Sequence, residues 1–195
     1  MQLSHALKSD FPGVSPKRKR QAFKTLLLLS LASLSGCSGI PVDSYQAERP
    51  EFKLEEYFNG TLDGWGMFQK RDGEVVRRFK VVVEGEWNGE HGVLDERFTY
   101  SDGTQQRRVW RLTKTADGEY QGEADDVIGV AQGRVAGNAL RWNYTLNLPV
   151  DDKVYQVKFD DWMYLQQDGV VINRSVMKKF GFRLGEVILF FKKRS

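Results

Sequence analysis

Cysteine is nearly absent from this chain: Cys37 is the single one in 195 residues, so no intrachain disulfide can form. Histidine is almost as scarce, at His5 and His91, and no Cys/His set for a zinc ion can be assembled. Residues 51–195 contain one proline, Pro149. No stretch supplies the run of about twenty apolar residues that a membrane-spanning helix needs. A strong charge of one sign is also missing. The formal charge of +3 hides an uneven layout: residues 1–36 hold six cations against Asp10, leaving 23 cations and 25 acids in residues 37–195. A nucleic-acid binder carries its positive charge in its folded part, so that class is excluded. There is no Gly-x-Ser-x-Gly elbow, P-loop, dinucleotide fingerprint or His-Glu-x-x-His. Neither catalytic residues, a metal nor a cofactor is implied.

What is present begins with an address. Lys17-Arg18-Lys19-Arg20 and Lys24 form a positive segment, followed by the apolar residues 25–34, which are too few to cross a bilayer as a helix. The apolar stretch ends in Leu34-Ser35-Gly36-Cys37, which resembles the bacterial lipobox. In that class the leader is cut before the cysteine, the sulfur takes a diacylglycerol and the new amino terminus a further acyl chain such as palmitate. One chain holds weakly, whereas several anchor stably. Ser38 stands where an Asp commonly signals inner-membrane retention, so the expected location is the outer membrane, with the domain facing the periplasm. Residues 1–36 are then a lipoprotein signal peptide, 37–50 a lipidated tether and 51–195 the folded domain. The tether has no period, and Pro50 closes it.

The folded part reads as consecutive strands. Turn dipeptides recur, among them Asp63-Gly64, Asn88-Gly89, Asp102-Gly103, Gly137-Asn138 and Asp168-Gly169, mostly at hairpin spacing. Between them the residues alternate: Phe79, Val81, Val83 and Trp87 share one face and Arg78, Lys80, Glu84 and Glu86 the other, and Leu140, Trp142, Tyr144 and Leu146 oppose Arg141, Asn143 and Thr145. One wet face and one apolar face, over about nine or ten strands, leave costly edges unless the sheet closes. The expected fold is all-β: an antiparallel up-and-down barrel, lipocalin-like, with an open sandwich as the alternative.

Turn positions suggest registers. A two-residue turn at Gly137-Asn138 pairs Val135 with Leu140, Gly133 with Trp142, Ala131 with Tyr144 and Gly129 with Leu146, setting small residues against large ones. A four-residue loop at 149–152 pairs Leu146 with Tyr155, Tyr144 with Val157 and Trp142 with Phe159. A loop at Asp102-Gly103-Thr104 sets Phe98 opposite Arg108 and Glu96 opposite Trp110, leaving Glu96 and Arg108 diagonal. Both carry the inward parity of apolar neighbours, so they pair inside the barrel, either gripping a ligand head group or only fixing the register. Asp161 shares the inward parity of Tyr155, Val157 and Phe159, near Leu140 and the barrel end, where it binds a ligand polar group or caps backbone amides. Asp160 faces the other way, so the two carboxylates cannot act as a dyad. Asp125-Asp126 reads as a turn, Asn173 as a loop cap and His91 as an exposed turn residue.

Several segments carry a family resemblance: Gly64-Trp65-Gly66, Glu96-Arg97-Phe98, Arg108-Val109-Trp110, Asp126-Val127-Ile128-Gly129, Asp160-Asp161-Trp162-Met163-Tyr164 and Lys179-Phe180-Gly181. Together they resemble the Gram-negative bacterial lipoproteins catalogued as domain of unknown function 3833, over about residues 52–192. That resemblance implies a lipid-related role and no assigned catalytic residues.

Three functions compete. The first is an outer-membrane-anchored binding module for a fatty acid, a lipid or another hydrophobic molecule. Its grip is Glu96, Arg108 and Asp161, and its lining Trp110, Trp142, Tyr144 and Phe159. Its partners are the membrane, through Cys37, and that ligand. The second is a structural or interaction lipoprotein with no ligand, in which the same aromatics fill the core. The third is a lipid-modifying enzyme using Glu96 and a tyrosine.

Overall fold

The computed structural model describes residues 39–150 and 152–195; the leader, Cys37 and its expected lipidation lie outside them. Ten strands follow one another: β1 (Gly60–Lys70), β2 (Val75–Asn88), β3 (His91–Tyr100), β4 (Gln105–Ala116), β5 (Glu119–Glu123), β6 (Ala131–Ala136), β7 (Ala139–Val150), β8 (Lys153–Leu165), β9 (Val170–Lys179) and β10 (Phe182–Lys193). Each pairs antiparallel with its neighbours in sequence, and β1 pairs with β10, closing the barrel. This is the expected lipocalin-like meander. With no edge strand left to protect, the open sandwich is excluded.

Period-two alternation places Val81, Val83, Leu94, Leu140, Val157 and Val171 inside, all buried. Small residues make room for large ones. A Cβ on Gly133 would lie 2.2 Å from Trp142 Cε3, and one on Gly122 2.5 Å from Trp142 Cζ2, so the indole occupies the space that those glycines leave. The same logic corrects one expected turn. Asp63-Gly64 lies within β1, where a Cβ on Gly64 would meet Val81 Cγ1 at 2.6 Å.

Two registers differ from expectation by one inward step. At the β3–β4 turn the Tyr100 N–H donates to the Thr104 carbonyl at 2.9 Å, so the loop is Ser101-Asp102-Gly103, with Gly103 at φ +82°. Glu96 therefore faces Arg108 directly, and Phe98 faces Gln106. At the β7–β8 turn the ladder continues past Pro149, paired with Val154, to Val150↔Lys153. Leu146 faces Val157, Tyr144 faces Phe159 and Trp142 faces Asp161. The β6–β7 hairpin has the expected Val135↔Leu140 and Gly133↔Trp142 pairs. Beyond it the chain bends at Gly129 (φ +69°), and Val127, not Gly129, bridges Leu146.

One end of the barrel is plugged, which no periodicity foretold. Phe52, the short helix α1 (Leu54–Tyr57) and Phe58 pack across it. Tyr57 Oη donates towards the Gly169 and Phe191 carbonyls, each at 3.0 Å. Glu55 fastens α1 to β4 and β5 by accepting from Lys114 Nζ and Tyr120 Oη, both at 2.6 Å. Gly85 admits the plug, since a Cβ there would lie 1.8 Å from the Phe58 carbonyl oxygen.

Part of the segment 37–50, expected as a tether, packs on the barrel. Residues Val42–Tyr45 form a 3-10 turn against the outside of β6 and β7. Val42 is buried with Ala136 and Ala139, Tyr45 meets the rings of Trp162 and Tyr164 at 6.0 and 5.4 Å, and Asp43 bridges Arg134 at 2.9 Å. Burial of Val42 and Tyr45 outweighs the missing period, so residues 41–50 belong to the domain.

Candidate functional site: the barrel interior

Ten strands enclose more space than their inward side chains fill. A cavity of about 1080 Å³ runs from Leu54 and Phe58 on the plug to Gln69, Arg77, Pro149 and Val154 at the opposite end, where the barrel is open. Every barrel residue expected at the site lines it: Glu96, Arg108, Trp110, Trp142, Tyr144, Phe159 and Asp161.

The aromatics form one connected wall. Tyr144 and Phe159, cross-strand partners on β7 and β8, stack at 5.0 Å with 8° between planes. Trp110 on β4 meets Trp142 edge-on at 5.8 Å and Tyr144 at 5.4 Å. Such geometries suit the aromatic quadrupole and hold the rings at fixed angles. Phe79, Phe98 and Tyr100 continue the wall towards the open end.

Polar groups sit on both sides of that wall. Arg108 donates from Nε and Nη2 to Asp126, at 3.1 Å to Oδ1 and 2.7 Å to Oδ2. Its Nη1 lies 3.8 Å from Glu96 Oε2, beyond hydrogen-bond length, and that oxygen is buried without a hydrogen-bond partner. Burial pushes the Glu96 carboxyl up to about 7, with Arg108 pulling the other way and Asp126 adding to the rise. For Arg108, burial opposes the charged form, but Glu96 and the Asp126 fork raise its pKa well above the ordinary range. On the other side, Asp161 accepts from Ser175 Oγ and, at 3.4 Å, from Tyr144 Oη. Burial pushes Asp161 up to about 7, against the hydrogen bonds from Ser175 and Tyr144.

Glu96 and Arg108 do form an ion pair inside the barrel, as expected, at 3.8 Å; what is corrected is the diagonal register and the primacy of that pair. They are direct cross-strand neighbours, but Asp126 is the principal partner, because the 123–131 connection folds it over the guanidinium. Asp161 is likewise not a backbone cap near Leu140. Its partners are hydroxyls beside Trp142, while Leu140 faces Met163. Asn173 does not cap a loop: it is buried on β9 and donates to the Trp162 carbonyl at 3.3 Å. His91 is exposed, as expected, at the start of β3.

Sequence reasoning missed Ser175 and Asp126 as members of the site. Ser175 had a signal, since it shares the parity of Val171 and Met177. Asp126 lies in a connection without period, and only the need of an inward arginine for a partner could have pointed to it.

The arrangement can hold an elongated apolar molecule along the rings, with hydrogen-bonding groups at two depths. A family model described as "Protein of unknown function (DUF3833)" matches residues 31–193, which span the whole barrel, so the chain belongs to that family. No curated protein matches the chain.

Proposed function

We propose that this DUF3833 protein is an envelope lipoprotein, held at the outer membrane through Cys37, whose barrel binds a fatty acid or other lipid. The observation that carries the reading is the cavity of about 1080 Å³, open at one end and lined mainly by aromatic and aliphatic side chains. That volume matches the upper end of small-ligand sites, about 300–1,000 Å³. The few polar groups inside, Glu96, Arg108 and Asp161, give an amphiphile's polar end a place to bind while the rings take its chain. An acyl-anchored domain also has ready access to lipid, and the segment before the barrel fits such an anchor.

The test has two arms. Native full chain is extracted and its non-covalently bound lipids are identified by mass spectrometry. The delipidated protein is then titrated with cis-parinaric acid, with oleate as competitor. About one equivalent of acyl lipid and saturable, displaceable parinaric fluorescence are expected. No bound lipid together with no saturable signal refutes the binding reading. Anchoring is read separately, by metabolic labelling with palmitate: label should enter the native chain and be absent from Cys37→Ser.

A further inference from the structure

The open rim of the barrel carries apolar side chains that the fold leaves uncovered. Phe180 is 89 % exposed, Phe182 72 % and Val154 65 %, and Val76 and Leu184 are also exposed. All five belong to the open end: Phe180 and Phe182 form the β9–β10 turn region, and Val154, Val76 and Leu184 line the cavity mouth. Among the described residues, no exposed large apolar side chain sits in a hairpin turn of the plugged end.

The charges of the turn that carries the two phenylalanines have one sign. The β9–β10 hairpin reads Lys178-Lys179-Phe180-Gly181-Phe182-Arg183, three cations and no acid. Lys179 Nζ sits 3.8 Å from the Tyr155 ring centroid and 5.2 Å from that of Phe180, so its charge rides on aromatic surface. Elsewhere on the rim the signs are mixed: Asp102 bridges Arg77 at 2.8 Å and Asp126 bridges Arg108 at 2.7 Å, while Asp72 and Asp125 are exposed, and Arg183 itself bridges Glu186 at 2.8 Å.

We infer that the β9–β10 tip of the open rim docks on an anionic lipid bilayer, with Phe180 and Phe182 entering the interface and Lys178 and Lys179 meeting lipid phosphates. Exposed aromatics flanked by cations are the combination that such an interface stabilises: ring area leaves water while the ammonium groups stay at the head groups. A second copy fits less well, because a two-fold contact between these hairpins would oppose the same cations. The docking rests on the rim alone and holds whether or not the cavity takes lipid, so its test is independent of ligand binding.

The full chain carrying Cys37→Ser receives one new cysteine, Phe180→Cys or Glu90→Cys, labelled with the fluorophore NBD. It is mixed with vesicles of phosphatidylcholine plus phosphatidylglycerol, or of phosphatidylcholine alone. Glu90 lies at the plugged end and reports association that does not involve the rim. The label at 180 should shift to the blue on anionic vesicles and be quenched by nitroxide-bearing lipid, with the effect weakened by salt, while the label at 90 stays water-like. Adding Lys178→Glu and Lys179→Glu should reduce the response at 180 several-fold. An unchanged label at 180, equal responses at both positions, or indifference to phosphatidylglycerol overturns the inference. A blue shift without vesicles that grows with protein concentration overturns it in favour of a second copy.

Discussion

Replacing Glu96 by glutamine should stabilise the protein above neutral pH and leave it nearly unchanged in acid. Glu96 faces Arg108 across β3 and β4, yet its Oε2 accepts no hydrogen bond and the guanidinium is committed to Asp126. Burial therefore dominates and lifts the carboxyl from 4.5 to about 7. A carboxyl raised on folding keeps its proton longer in the folded chain than in the unfolded one. Its contribution is fully present below the unfolded value and is lost as pH rises through the folded one. At about 1.36 kcal/mol per pKa unit, ionising Glu96 in place costs about 3 kcal/mol once pH exceeds about 7. Glutamine keeps the shape and never ionises, so the variant escapes that cost. For a chain of this size the gap corresponds to about 6–12 °C in Tm. The assay is urea unfolding of both proteins at a series of pH values from about 4.5 to 8. A stability difference that stays flat across that window would refute the reasoning: Glu96 would then ionise normally, held by Arg108.

Three other substitutions probe the packing that places this group. Gly133→Val puts a side chain into the Trp142 indole, whose Cε3 lies 2.2 Å from an ideal Cβ, and should cost about 3 kcal/mol or more with a change in near-UV dichroism. Arg108→Met strands Asp126 and Glu96, and should cost about 3 kcal/mol in urea unfolding at neutral pH, with most of the loss recovered by adding Asp126→Leu. Tyr57→Phe removes the donor to the Gly169 and Phe191 carbonyls, and should cost about 1 kcal/mol, with faster amide exchange in α1.

The strand rhythm and the inward parity were legible because both depend on local alternation. A one-residue slip of β7 would turn Trp142 and Tyr144 out to water, so its parity is strongly constrained. What local pattern does not encode is how far a ladder continues before it turns. Ser101-Asp102-Gly103 and the passage through Pro149 each moved a register by one inward step, which preserves every face and changes every partner. Asp161 thereby moved from the barrel end to a place beside Trp142, and Glu96 moved from a diagonal of Arg108 to its direct neighbour. The plug was illegible for another reason. A four-residue helix has too few turns for a period, and Phe52, Tyr57 and Phe58 are buried by tertiary contact alone.

The balance of interior charge bears on which amphiphile the cavity prefers. Asp126 takes the fork of Arg108, so burial outweighs the more distant pull of the guanidinium on Glu96 and the hydroxyl bonds of Asp161, and both carboxyls hold protons up to about 7. Below that pH these four groups sum to neutrality; above it they turn negative. A fatty-acid carboxylate adds a further negative charge to a site of low dielectric, whereas an alcohol carries none and can donate a hydrogen bond to Glu96 Oε2, which lacks a partner. Oleyl alcohol should therefore gain on oleate as pH rises from about 6 to 8, by roughly tenfold per 1.4 kcal/mol of added repulsion. Displacement of bound cis-parinaric acid by each competitor measures that ratio. A ratio that falls, or does not move, would mean that Arg108 and not Glu96 meets the head group.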